Sequence, residues 1–224
     1  MTDRRRADLA AKIEARALWR HDGRDDSPYA RLSSGLISNM FCNVGRIAEE
    51  DPLLFWQCGQ KLGFESIDRL RPLPSTPRLR VIGAEYGGIA LSVSIAAAIA
   101  TAGSAFASKQ KDGSLSFERA QLEPGEAFLM IEDTITTGGT LEKLERAALA
   151  ASPGCTFAPF VVAICNRSGQ EEWAGRPILS LYTPDMSECR TWEEGNNPFT
   201  HGPELVPPIE RPKLEWRALT RPRD

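Results

Sequence analysis

The sequence has little surplus charge. Its 224 residues hold 27 Lys and Arg against 30 Asp and Glu, a formal net charge of −3. A general electrostatic grip on nucleic acid needs a basic excess, so no nucleic-acid partner is expected, and any bound anion must be held by local geometry. Closely spaced cysteine pairs are also missing. Cys42, Cys58, Cys155, Cys165 and Cys189 are scattered and odd in number. That excludes zinc-knuckle and dithiol redox spacing and fits free thiols in a reducing cytoplasm. There are only two histidines; Cys189 and His201 stand too far apart to make a metal pair, so no protein-only metal site is expected. Long apolar runs are lacking too. The longest, Ile89 to Ala102, contains serines and a threonine; it is too short to span a bilayer and reads as a buried helix. The first residues, Met1-Thr-Asp-Arg-Arg-Arg, are polar and do not form a secretion signal. No internal repeat or low-complexity tract occurs. The reading is a soluble cytoplasmic protein without a membrane partner. With 42% hydrophobic and 25% charged residues, the chain is neither disordered nor short of a core.

Residues 3–21 place Leu9, Ile13, Ala17 and Leu18 at helical spacing, which predicts an amphipathic helix. Residues 29–47, around Ser34-Gly35, read as a strand or hairpin. Asp51-Pro52 opens a helix over 53–63 that should end near Gly63. Pro72, Pro74 and Pro77 mark a turn-rich approach to an alternating pattern: strand 79–83, helix 89–102, strand 104–107, polar segment 108–114, strand 127–131, helix 140–151 and strand 157–164. Alternation of this kind predicts an α/β fold, a mostly parallel sheet flanked by helices, with ligands beyond the carboxyl ends of the strands. The last stretch, 177–224, holds 8 of the 16 prolines together with Trp192 and Trp216, and reads as a wrapping tail outside the sheet.

The segment from Phe128 to Leu144 concentrates the chemistry. An apolar strand ends in adjacent carboxylates, Glu132-Asp133. Then come Thr134 and a small, hydroxyl-rich loop, Thr136-Thr137-Gly138-Gly139-Thr140, and a helix starts there. The glycines let backbone N–H groups converge, and the helix N-terminus adds positive potential, so the loop suits a phosphate. Ionised carboxylates would repel that phosphate but accept hydrogen bonds from hydroxyls. The pairing predicts a ligand with a phosphate at one end and vicinal hydroxyls at the other, as in a sugar phosphate. Neither the Walker pattern nor G-x-G-x-x-G is present.

Residues 128–140 resemble the phosphoribosyl-pyrophosphate (PRPP) signature of type I phosphoribosyltransferases. The resemblance is strongest to orotate phosphoribosyltransferase and covers roughly residues 30–183. Ser34, Gly35, Ser38, Phe41 and Asn43 resemble that family's hood segment. Val81 to Leu91, with Glu85, Tyr86, Gly87 and Gly88, resembles its pyrophosphate loop. Phe106 to Gly113 resembles its mobile catalytic loop, and Cys165-Asn-Arg-Ser-Gly169 its base-facing strand end. The resemblance implies that Glu132 and Asp133 bind the ribose hydroxyls of PRPP. Thr134 and Thr136–Thr140 would hold the 5-phosphate, and residues 84–88 the pyrophosphate. Lys109 and Lys111, with Asp133, would serve catalysis. Arg167, Thr136, Ser34 and Gly35 would face a nucleobase, and magnesium would be carried on substrate oxygens. It also implies a homodimer, a phosphoribosyltransferase domain over 1–183 (hood about 1–75, core about 76–183) and a C-terminal extension over 184–224.

The resemblance departs from its pattern at several charged positions. Ser33 and Leu36 stand where the hood usually has lysine and arginine, Ser108 where the mobile loop usually has arginine, and Tyr86 where some members carry lysine. Transfer of ribose 5-phosphate to orotate is one reading. Transfer to another base, and a non-catalytic PRPP- or nucleotide-binding protein, remain open beside it.

Overall fold

A computed structural model describes residues 2–32, 34–71, 78–199 and 206–220. Ser33, Pro72, Pro74, Pro77 and His201 lie outside the described residues. Helix α1 (Thr2–Ala17) buries Leu9, Ile13 and Ala17 along one stripe, and ends earlier than its periodicity predicts because Leu18 begins a strand. Strands β1 (Leu18–Arg20), β2 (Ala30–Arg31), β3 (Ile37–Ser38) and β4 (Met40–Cys42) follow, with β1 and β4 forming an antiparallel ribbon. After α2 (Gly45–Glu50) comes α3 (Pro52–Leu70), capped by Asp51, whose carboxylate accepts from the Leu54 N–H at 3.0 Å.

Helix α3 runs straight through Gly63, which the sequence suggested as its end. Gly63 instead marks where two helices nearly touch: a Cβ there would come within 2.5 Å of Ala98 Cβ and 2.7 Å of the Ile95 carbonyl. Those neighbours belong to α4 (Gly87–Ile99), which follows β5 (Leu79–Ala84). Next are β6 (Gly103–Lys109), β7 (Leu115–Ser116), β8 (Ala127–Ile135) and α5 (Gly139–Ala151). The strand expected over 157–164 divides into β9 (Thr156–Phe157) and β10 (Val161–Asn166) around Pro159, which has no N–H to give a ladder.

The chain continues with β11 (Glu172–Trp173), β12 (Arg176–Tyr182), β13 (Thr191–Trp192) and α6 (Trp216–Thr220). Strand β12 corrects the reading of 177 onward as a tail. It is an integral strand of the main sheet, parallel to β10, with Ile178 opposite Val161 and Tyr182 opposite Cys165. Pro177 is tolerated because it sits at the strand's start, facing only the short β11.

The main sheet has the order β11-β12-β10-β8-β5-β6-β7, with β9 beside β8, and its inner strands are parallel. Successive side chains face opposite sides. Val81, Leu129, Ile131, Val162 and Ile164 pack toward α1, α3 and α4. Ile82, Phe128, Met130, Val161 and Ala163 pack toward α5. Both faces are dry, which explains the near-continuous apolar strands. The fold is the α/β arrangement anticipated from the sequence.

The extension wraps back over the amino-terminal strands. β13 pairs with β3, making a three-stranded sheet with β2. Farther on, the Arg31 N–H donates to Ile209 O at 3.0 Å and the Ile209 N–H to Tyr29 O at 2.8 Å. Trp216 and Leu219 are buried with Trp19, Ala30 and Phe41, and the Trp19 indole N–H donates to Leu219 O at 3.1 Å.

Candidate active site

Strand β8 carries the acidic pair, and it is longer than expected: Glu132 and Asp133 lie within the strand, not beyond its end. Glu132 pairs with Ala163 and Thr134 with Cys165, so the β8–β10 register fixes both carboxylates. Asp133 Oδ1 accepts from the Thr134 N–H at 2.8 Å. Its other oxygen lies where a side chain on residue 87 would be: a Cβ at Gly87 would meet Oδ2 at 2.6 Å. Glycine at 87 therefore lets the 85–88 segment pack close against Asp133. The Glu85–Tyr86 peptide bond in that segment is cis, and Tyr86 is 84% exposed.

Glu132 is unusual. Its Oε2 atom is enclosed and has no hydrogen-bond partner among the described residues. Burial pushes its carboxyl up to about 8, and the charge of Asp133 pushes the same way; the Thr140 hydroxyl and Lys213 partly offset both. Glu132 lines a cavity, and a carboxyl group there with an unpartnered oxygen marks a candidate ligand contact.

After Ile135 the chain turns through Thr136 and Thr137, both exposed, into Gly138. Gly138 caps α5 in the left-handed region, φ 78°, and any Cβ there would strike the Trp173 ring. The helix N-terminus and the loop N–H groups thus open on the same space as the acidic pair.

That space is a cavity of about 410 Å³. Glu132, Asp133, Thr134, Thr136, Thr137 and Thr140 line its floor. Leu32, Ser34, Phe41 and Cys42 close it from the hood, joined by Arg167 and by Lys213 of the extension. Arg167 is 8% exposed and bridges the two sides, its N–H donating to Ile135 O and its Nη1 to Met40 O, both at 2.8 Å. Its Nε is buried without a hydrogen-bond partner among the described residues. Cys42 and Cys165 meet with their sulfurs 3.2 Å apart, where hood and sheet join.

Several residues singled out from the sequence do not line the cavity. Gly35 takes a left-handed turn, φ 86°, with its N–H on Leu32 O. Glu85, Tyr86, Gly87, Gly88, Gly138, Gly139, Lys109 and Lys111 do not line the cavity either, although Gly87 packs against Asp133. Segment 108–114, expected to be an open polar loop, is a hairpin: Ser108 and Lys109 pair with Ser116 and Leu115, and the Gln110 N–H donates to Ser114 O at 2.9 Å. Lys143 of α5 holds its tip by donating to Gly113 O at 2.9 Å. The hairpin is tied to the 85–88 segment, since the Lys109 N–H donates to Glu85 Oε1 at 2.8 Å. Leu36, at one of the hood's usually basic positions, closes the hood turn by accepting from the Leu32 N–H at 2.8 Å. Lys213 was missed altogether. No motif marks it, and only folding brings it to the cavity.

No family model matches the chain. Individual relatives do. Orotate phosphoribosyltransferase of Thermus thermophilus is 31% identical over 184 residues, covering 80% of this chain and 94% of that protein. That of Desulforamulus reducens is 30% identical over 174 residues, covering 75% and 85%. The chain belongs to the orotate phosphoribosyltransferase family. Solved structures agree on the fold. A phosphoribosyltransferase from Corynebacterium diphtheriae superposes with a TM-score of 0.56 at 16% identity, covering 80% of this chain and 96% of that one. Orotate phosphoribosyltransferase from Mycobacterium tuberculosis gives 0.54 at 16%, covering 80% and 95%. The protein is thus a type I phosphoribosyltransferase by fold and a pentosyltransferase by family.

Proposed function

We propose that this phosphoribosyltransferase transfers ribose 5-phosphate from PRPP to orotate, giving orotidine 5-phosphate and pyrophosphate. The observation that carries this reading is the two-sided cavity: a floor of carboxylates and threonine hydroxyls faces Arg167 and the hood. PRPP would lie with its 5-phosphate on the Thr136–Thr140 loop and its ribose hydroxyls against Glu132 and Asp133. The ring nitrogen of the base attacks the anomeric carbon as the bond to the pyrophosphate oxygen breaks. The ring is oxocarbenium-like at the transition state, and the adjacent Asp133 charge favours it. Arg167 presents a planar guanidinium, suited to a carboxylate or imide edge.

The two hard carboxylates fit a divalent ion carried on substrate oxygens, and no three-residue metal cage exists among the described residues. Bound magnesium would neutralise charge on the departing pyrophosphate. Lys109 and Lys111, outside this cavity, would serve the pyrophosphate of a second copy's site. A homodimer is supported by the exposed apolar stripe Leu53, Trp56, Phe64 and Ile67 along α3. A cytoplasmic location and the absence of nucleic-acid or membrane partners belong to the same reading. Among the described residues no helix is long and apolar enough to cross a membrane, and the net charge is −3.

The test is pyrophosphate release from PRPP and magnesium with a panel of bases. Release with orotate is expected. Release only with another base would overturn the reading. Tight PRPP binding without turnover on any base would favour a binding protein, the alternative consistent with the lack of lysine and arginine over residues 32–45.

A further inference from the structure

The hood contributes no cation to the cavity. Residues 32–45 contain neither lysine nor arginine. Arg31, just before them, is committed elsewhere: it pairs with Glu194 and Glu210 and donates to Gly35 O. Arg46, just after, is engaged by Glu50 and lies over the Trp216 ring. Arg167 spends one donor on Met40 O. Among the described residues that leaves Lys213 as the remaining basic side chain lining the cavity, and its ammonium makes no ion pair or hydrogen bond with any described residue.

Lys213 is not there by accident of a loose tail. The segment carrying it is fixed on both sides. Upstream, Ile209 joins β2 through the two backbone hydrogen bonds at Tyr29 and Arg31. Downstream, Trp216 is buried against Phe41, ring centroids 6.4 Å apart. At the residue itself, the buried Asn43 side chain donates to the Lys213 carbonyl at 3.4 Å. The extension therefore brings an ammonium without an ion pair among the described residues to the cavity that Arg167, Ser34 and Phe41 also line, where its charge is also felt by Glu132.

We infer that Lys213, supplied by the C-terminal extension, is a specificity-determining residue that binds the carboxylate of the base, in place of the cation the hood does not carry. The inference rests on the orotate reading above. An ammonium on a flexible stem is a compact donor of three hydrogen bonds and suits a carboxylate arriving and leaving with substrate. Arg167, buried and half occupied, would orient the ring edge, while Lys213 would distinguish a carboxylated base from a plain one.

The probes are orotidine 5-phosphate and uridine 5-phosphate, which differ only in the base carboxylate. Each is titrated by calorimetry into the full-length protein without pyrophosphate, so that no turnover occurs. The parent should favour orotidine 5-phosphate. Lys213→Met should cut that preference about tenfold while leaving uridine 5-phosphate within about twofold. Lys213→Arg should restore most of it. An unchanged preference in Lys213→Met would overturn the inference. So would equal weakening of both nucleotides, which would place Lys213 on the phosphate or ribose, and so would a parent with no preference. Pyrophosphate release from orotate and PRPP is measured separately on the parent. Its failure with the preference intact would overturn the proposed reaction and leave the role of Lys213 standing.

Discussion

The floor of the cavity and its roof are built in opposite ways. The floor comes from one contiguous run, Glu132 to Thr140, spanning the end of β8 and the start of α5. Its geometry is set by the strand register and by Gly138 under Trp173. The roof is assembled from three distant pieces: the 32–42 hood, Arg167 at the end of β10, and Lys213 on the extension. A contiguous floor keeps its shape if the roof shifts, whereas the roof holds only if every piece is docked. On the proposed reading, phosphate and ribose capture should therefore be robust, and base selection should be the fragile function.

The largest expected effect breaks the floor. Asp133→Asn should lower turnover about 100-fold, since a charge-assisted hydrogen bond is worth about 1.5–3 kcal/mol and each 1.4 kcal/mol is about tenfold. Steady-state pyrophosphate release checks this, and a rate within about twofold of the parent would remove Asp133 from the reaction. Next is a roof change made without touching the cavity. Trp216→Ala should cost about 3 kcal/mol of stability, as for other buried large aromatics. It should also erode the preference for orotidine over uridine 5-phosphate while PRPP affinity stays near the parent value. Equal loss of both affinities would contradict the separation of floor and roof.

Gly138→Ala is a subtler floor change. A left-handed residue gaining a Cβ costs about 1 kcal/mol, and the Trp173 ring must also move. PRPP affinity should fall about tenfold by calorimetry, with the nucleotide preference retained.

The smallest effect concerns Glu132 in the substrate-free protein. Its folded pKa, about 8, lies above the ordinary 4.5, so the folded state keeps a proton that the unfolded chain releases. Its contribution to stability is complete below about pH 4.5 and is lost as pH rises through about 8. Glu132→Gln should thus be nearly neutral at pH 5 and raise Tm by about 2–4 °C at pH 8.5, if about 1 kcal/mol is recovered. A Tm difference that does not grow with pH would mean the carboxyl titrates normally.

The same contrast explains what could be read from the sequence. The floor was legible because its parts adjoin and each residue type has a local reason to be there. The parallel sheet was legible because β5, β8 and β10 are buried on both faces and so uniformly apolar. Gly63 misled because glycine ends helices as often as it lets them approach, and its partners Ile95 and Ala98 lie more than thirty positions away. Strand β12 was masked by the proline density of the segment that follows it, although Ile178 to Tyr182 alone has a strand's character. Lys213 could not be found: its sequence neighbours concern only the docking of Trp216, and Arg167, the nearest residue in sequence that also lines the cavity, lies 46 positions upstream.

The sulfur contact between Cys42 and Cys165 has a practical consequence. Cys42 borders the cavity, whereas Cys165 lies fully enclosed behind it, its thiol held protonated by the neighbouring sulfur and by burial. The two thiols are thus nested chemical clocks. The rate at which an alkylating reagent takes Cys42 times the vacancy of the cavity, and the much slower loss of Cys165 times the lifting of the hood from the sheet.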